Sequence, residues 1–207
     1  HADSDDAWLD VRSELEWMGK NERLLWLSEK DGWRRINLVT RSGEKVTGIT
    51  PAGFDVIDIK GVDNQNDYIY FMASPDDPKR RYLYRIKGDG SEMARVTPGN
   101  VSGMNSYNIS PDCSLAVHTF STFDTPPVIA LIKLPSHEVV KVLRDNANLT
   151  DQFKLLARRP VEFFRINIGG DVLLDGWSLT PPDFDKSKKY PVMVYVYGEP
   201  AGQTVMD

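Results

Sequence analysis

A repeat with a period in the mid-forties is the feature that most narrows what this chain can become. The segment NERLLWLS from Asn21 lies over NDYIYFMA from Asn66, an offset of 45 residues, and CSLAVHT from Cys113 follows at 47. Thr50-Pro51 recurs as Thr97-Pro98 at 47, and YLYRIK from Tyr82 recurs as VIALIK from Val128 at 46. Gly, Pro, Asp and Asn cut each copy into short apolar or alternating runs, with almost nothing at helical spacing. Four strands fit each unit. The first unit predicts 14–17, 23–28, 34–40 and 45–49; the second 56–61, 68–73, 82–87 and 93–96; the third 106–110, 115–120, 128–133 and 139–143.

Four strands per unit at this period mark β-propeller blades, small sheets that bury their faces only against neighbouring blades. Propellers close with about four to eight blades, so three predict the trailing part of a larger ring. The other arrangement is an open stack whose apolar end faces invite association. Recurring aromatics, Trp17, Trp26, Trp33, Tyr70 and Phe71, fit packing between blades better than a ligand cage.

After Asp145 the period changes, which puts a domain boundary between residues 146 and 147. A helix is expected there, capped by Asn148 with Asp151 at its third position, presenting Phe153, Leu155 and Leu156, and closing at Arg158-Arg159 before Pro160. Residues 161–168 and 172–179 predict a hairpin around Gly169-Gly170-Asp171. Pro181-Pro182 then leads to VMVYVY, 192–197, which is continuously apolar, β-branched and aromatic. Such a run suits a strand buried on both faces of a mainly parallel sheet. Gly198, Pro200 and Gly202 force a tight loop and deliver Tyr197 at the strand's carboxyl end, where α/β sheets place their ligands.

The stretch DFDKSKKYPVMVYVYGEPAGQ, 183–203, resembles the start of the catalytic α/β-hydrolase domain in the prolyl oligopeptidase family, most closely its dipeptidyl peptidase IV branch. SEKDGW at 28–33 looks like a blade turn of that branch, and NISPD at 108–112 like its strand openings. The resemblance covers nearly the whole chain and is sharpest over the last twenty-five or so residues. It implies a mainly β fold, with a partial propeller of about three four-stranded blades (1–146) followed by the first strands of an α/β-hydrolase domain (147–207). It also implies a serine exopeptidase that removes amino-terminal dipeptides, commonly after Pro or Ala, through an acyl-enzyme. By the same resemblance Tyr197 lends its hydroxyl to the oxyanion hole and Pro200 stands on the wall beside the substrate. Glu199 departs from the family, where many relatives carry glycine; its carboxylate either points to solvent or meets the substrate's amino group. The resemblance further implies a peptide substrate, no cofactor or metal, a homodimeric parent, and a secreted, periplasmic or cell-surface location. The acidic residues that hold the substrate amino group in this family lie in an earlier propeller insertion, outside this chain.

A serine peptidase needs an activated nucleophile, a base, an acid orienting the base, and donors aimed at the oxyanion. The family places its serine in a Gly-x-Ser-x-Gly elbow, and the 207 residues contain none. Gly176-Trp177-Ser178 is the nearest look-alike, but Leu179-Thr180 follows and the triplet sits in a predicted strand. His1, His118 and His137 read as ordinary surface or packed residues. The chain alone is therefore expected to be inactive. A downstream elbow followed by Asp and then His separates a peptidase from a propeller-derived binding module, and an acylaminoacyl peptidase or oligopeptidase specificity stays open within the enzyme class.

Charge and composition remove other classes. Net charge is −5, and no basic run exceeds Lys79-Arg80-Arg81 or Lys186 to Lys189, so no nucleic-acid footprint exists. The single cysteine, Cys113, excludes an internal disulfide framework and a four-cysteine zinc site. No window reaches the roughly 18 apolar residues of a membrane span, and the start from His1 does not read as a signal peptide. Asp76-Asp77 and the Asp3, Asp5, Asp6 group lack calcium-loop spacing. Sequons at Asn100, Asn108 and Asn148 carry no argument without a secretory context.

Overall fold

The computed structural model describes residues 4, 15–196, 198 and 202–207. Three four-stranded antiparallel sheets follow one another along the chain, each an unbroken meander. The first holds β1 (Glu16–Met18), β2 (Arg23–Ser28), β3 (Arg35–Thr40) and β4 (Val46–Gly48). The second holds β5 (Val56–Asp63), β6 (Tyr68–Ala73), β7 (Tyr82–Lys87) and β8 (Ala94–Arg95). The third holds β9 (Met104–Ile109), β10 (Leu115–Thr122), β11 (Thr125–Lys133) and β12 (Val139–Arg144). These are the three blades the repeat predicts.

The middle blade explains why its strands read as continuous apolar runs. On β6, Ile69, Phe71 and Ala73 face the first blade, in a core with Met18, Leu25, Ile36 and Leu38. Tyr70 and Met72, one residue out of phase, face the third blade, in a core with Tyr107, Ala116, Ala130 and Ile132. Side chains alternate across a strand, so a sheet covered on both sides needs apolar residues at every position. Cross-strand pairing reinforces this packing: Phe71 opposes Tyr84 with ring centroids 5.9 Å apart.

The recurring Thr-Pro pair has a hydrogen-bonding role. The Thr50 hydroxyl accepts from the Ile36 amide at 3.0 Å, and the Thr97 hydroxyl from the Leu83 amide at 2.8 Å. Ile36 and Leu83 each stand second in the third strand of their blade, and both threonines are buried. The proline that follows brings no amide of its own to satisfy.

Beyond the blades, α1 (Ala147–Lys154) leads to a hairpin of β13 (Glu162–Asn167) and β14 (Leu173–Ser178). The hairpin agrees with its expected bounds, whereas the helix departs from its expected ends. Its cap residue is Asn146, in left-handed conformation at φ 53°, not Asn148, which lies inside the helix. Asp145 Oδ1 accepts the Ala147 amide at 3.1 Å, and the Asn146 side-chain amide is spent on the Pro127 carbonyl at 2.6 Å. The helix stops at Lys154, short of Arg158-Arg159, and buries none of its residues. Arg158 instead lies 4.0 Å over the Phe153 ring and 2.5 Å from Asp124. Phe163 and Trp177 of the hairpin meet Phe123 at the β10–β11 turn, at 6.3 and 5.2 Å between ring centroids.

Thr97→Val keeps the side chain's volume but strands the buried Leu83 amide and removes one of the two partners of the Tyr107 hydroxyl, which lies 2.8 Å from Thr97 Oγ1 and 2.9 Å from His137 Nε2. Leaving such groups unpaired costs about 1–3 kcal/mol. Urea unfolding of the variant is expected to show a loss in that range, and an unchanged midpoint would contradict the role given to Thr97.

Candidate functional site

Tyr197, Glu199 and Pro200, the residues singled out by sequence, lie outside the described residues, so the site is approached from its two flanks. On the amino-terminal flank, Val192 to Val196 carry apolar side chains that are 71–96% exposed. They pair with no strand among the described residues, contrary to the buried strand expected for 192–197. The physical reason is that a run apolar on both faces is stable as a strand only between ladder partners and covering layers, and no described residue provides either.

On the carboxyl-terminal flank the chain is held. The Asp207 amide donates to the Lys79 carbonyl at 2.9 Å, and Gln203 Nε2 donates to the Pro78 carbonyl at 2.6 Å. Arg80 Nε donates to Asp207 Oδ2 at 3.0 Å, and the Arg81 guanidinium donates to Gln203 Oε1. These partners sit in the connection between β6 and β7, rich in the Asp, Pro and basic residues of an exposed turn. Asp77 there is committed to charge pairing, with Lys79 Nζ at 2.8 Å and Arg80 at 3.5 Å. Burial raises its pKa, but the Lys79 hydrogen bonds and the two cations outweigh that and leave it lowered. For Arg80, burial lowers the pKa, and the bond to Asp207 more than reverses this.

The histidines lie elsewhere and do different work. His118 on β10 and His137 in the β11–β12 turn are both buried, with ring centroids 4.8 Å apart. Tyr107 stacks on His118 at 4.6 Å, and its hydroxyl lies 2.9 Å from His137 Nε2 as well as 2.8 Å from Thr97. His118 Nε2 is 2.7 Å from Asn105 Oδ1, and the Asn105 amide nitrogen donates to the Arg81 carbonyl at 2.9 Å. Both histidines are thus packed residues, as their sequence context suggests, but their meeting with Tyr107, Asn105 and Thr97 is not encoded in any local motif. One signal was available: at the repeat offset, His118 stands where the middle blade has Phe71. Burial pushes the His118 pKa down to about 4, helped by His137 alongside, and burial likewise lowers His137. Burial raises the Tyr107 hydroxyl. A network of neutral groups of this kind supports packing rather than proton transfer at neutral pH.

Other candidates resolve plainly. Ser178 ends β14, half-buried and paired with Glu162, in extended structure rather than a sharp elbow. Cys113 is buried, and burial pushes its thiol up to about 11, away from nucleophilic use. Among the described residues no group of three His, Cys, Asp or Glu is placed to hold a metal ion, and no helix is long and apolar enough to cross a membrane.

Residues 1–127 match the family described as the dipeptidyl peptidase IV N-terminal region. The chain belongs to the dipeptidyl peptidase IV family. It is 23% identical over 209 residues to a probable dipeptidyl peptidase 4 of Aspergillus flavus, covering 98% of this chain and 27% of that protein. A probable dipeptidyl-aminopeptidase B of Neosartorya fischeri is 32% identical over 165 residues, 76% of this chain and 17% of that protein. The crystal structure of Porphyromonas gingivalis dipeptidyl peptidase 4 superposes with a TM-score of 0.84 at 28% identity, covering 93% of this chain and 27% of that one. The chain thus spans about a quarter of the length of the dipeptidyl peptidase 4 relatives it matches. In the terms of the dipeptidyl peptidase IV family, the three sheets are propeller blades, and the histidine network is a seam between two of them.

That seam is expected to respond to pH. Unfolded, His118 binds a proton near its ordinary pKa of about 6.5; folded, it refuses one until about 4. Its contribution to stability is complete above the unfolded value and is lost as pH falls through the folded one, a change of about 3 kcal/mol. Urea midpoints are expected to fall between pH 6.5 and 4, and less steeply in His118→Gln; equal slopes in both proteins would contradict this.

Proposed function

We propose that this chain is the part of a dipeptidyl peptidase IV-like serine exopeptidase that joins the last propeller blades, residues 1–146, to the opening of the hydrolase domain, residues 147–207. The enzyme removes dipeptides from peptide amino termini after Pro or Ala. The observation that carries the reading is the family match over residues 1–127, together with dipeptidyl peptidase relatives alignable over nearly the whole chain. The serine, acid and base are supplied by sequence outside these residues, and the 207-residue chain is inactive alone.

In this reading Tyr197 contributes one half of the oxyanion hole. As the serine hydroxyl adds to the scissile carbonyl, the carbonyl oxygen becomes anionic, and the phenolic hydroxyl of Tyr197 donates a hydrogen bond to it. The second donor is the backbone amide following the nucleophile. A donor aimed at charge that exists only in the transition state raises turnover without tightening substrate binding. Pro200 shapes the wall beside the substrate, and Glu199 meets the substrate's amino group, where its negative charge is useful. The substrate's ammonium neutralises such a Glu199 and so reconciles its charge with a nearby oxyanion.

The full-length gene product is expected to release dipeptide from a Gly-Pro chromogenic substrate and to leave the amino-acetylated substrate intact. Tyr197→Phe is expected to lower kcat about 10²–10³-fold with a small change in KM. Unchanged turnover in Tyr197→Phe would remove the oxyanion role, and equal cleavage of the acetylated substrate would remove the exopeptidase assignment.

A further inference from the structure

The connection between β6 and β7 grips the chain just beyond the Tyr197 loop at two points, Gln203 and Asp207. All four contacts described above join residues more than 120 apart in sequence. Two anchors on a stretch this short set both the position and the direction of the backbone. Gln203 follows Tyr197 within six residues, and Gly198 and Gly202 lie between them.

The grip is itself pre-shaped by the propeller. Asp77 Oδ1 accepts the Lys79 amide at 3.1 Å, which turns the loop. Arg81 donates to the Pro78 and Arg80 carbonyls, each at 3.0 Å. Its own carbonyl is held by Asn105 of the third blade at 2.9 Å. Lys79 Nζ also lies 3.9 Å from Asp175 on β14, which accepts Arg165 Nε at 2.8 Å. A lone exposed ion pair contributes little. The Arg80–Asp207 pair is partly sheltered, with its side chains 34% and 16% exposed, and is reinforced by the Asp207 amide bond to the next carbonyl along.

We propose that Arg80 and Arg81 are positioning residues: by holding Gln203 and Asp207, they let the middle blade support the oxyanion role of Tyr197, six residues before Gln203 in sequence. The proposal rests on the oxyanion role given to Tyr197. The propeller then acts on the chemistry as well as on access: a donor displaced by about 1 Å forfeits much of its value to the transition state.

The test uses the full-length gene product and a Gly-Pro chromogenic substrate. Arg80→Ala is expected to lower kcat about ten- to a hundredfold with little change in KM, and Asp207→Asn, which keeps the size of the side chain, to act in the same direction. In the Tyr197→Phe background, Arg80→Ala is expected to cost nothing further, because the group it positions is gone. Amide exchange at Asp207 is expected to quicken in Arg80→Ala. A loss of equal size in both backgrounds, or unchanged exchange at Asp207, overturns the positioning role. Tyr197→Phe impaired while Arg80→Ala and Asp207→Asn are not overturns the grip alone. Full turnover in Tyr197→Phe overturns the oxyanion reading and with it the role assigned to Arg80.

Discussion

Everything here depends on the way a four-stranded sheet with two apolar faces is covered. The middle blade is covered on both sides, and its central strand shows the consequence: Ile69, Phe71 and Ala73 are buried against one neighbour, Tyr70 and Met72 against the other. Burying a large apolar side chain contributes about 1.5–3 kcal/mol, and these side chains are buried in cores shared between neighbouring sheets. On the last strand of the third blade, where no described residue gives such cover, Val139, Val140, Val142 and Leu143 are all about half exposed. Blade stability is therefore a property of neighbours, as expected of repeat architectures.

Polar groups make the seams specific. Between the second and third blades, Thr97, Asn105, Tyr107, His118 and His137 form a buried hydrogen-bonded cluster in which every side chain has a partner. A seam made only of aliphatic side chains would tolerate sliding, whereas a satisfied polar cluster accepts one register. Asn105 also ties this seam to the Arg81 carbonyl, at the root of the loop that holds Gln203 and Asp207. Packing between blades and the hold on Gln203 and Asp207 are in this way parts of one network.

Much of this was legible in the residues. Strand positions in all three blades follow from a repeat of turns and apolar runs, since turn chemistry and alternation are local. Thr50 and Thr97 stood out as landmarks, and the structure adds their reason, the capture of the Ile36 and Leu83 amides. At the same offset the third blade carries Arg144-Asp145, so the device stops where the repeat ends. The helix cap was misplaced because Asp145 and Asn146 take the roles that spacing gave to Asn148, and Asn146 is fixed by a contact with Pro127, outside the local window. The run 192–196 looked buried because apolar side chains on both faces signal burial, yet burial needs partners that its sequence alone does not carry. Neither the histidine cluster nor the grip on residues 203–207 leaves a local pattern, because each joins ordinary turn residues across long separations. Only the His118-for-Phe71 exchange within the repeat hinted at the first.

The central claim is that these residues bring blades and an oxyanion donor to a nucleophile supplied by other sequence. Covalent labelling with diisopropyl fluorophosphate, followed by peptide mapping, tests it most directly. The account predicts a single modified serine in the full-length gene product, located outside residues 1–207, and no labelling of the 207-residue chain. Stoichiometric labelling of any serine within the chain, Ser178 included, would contradict it.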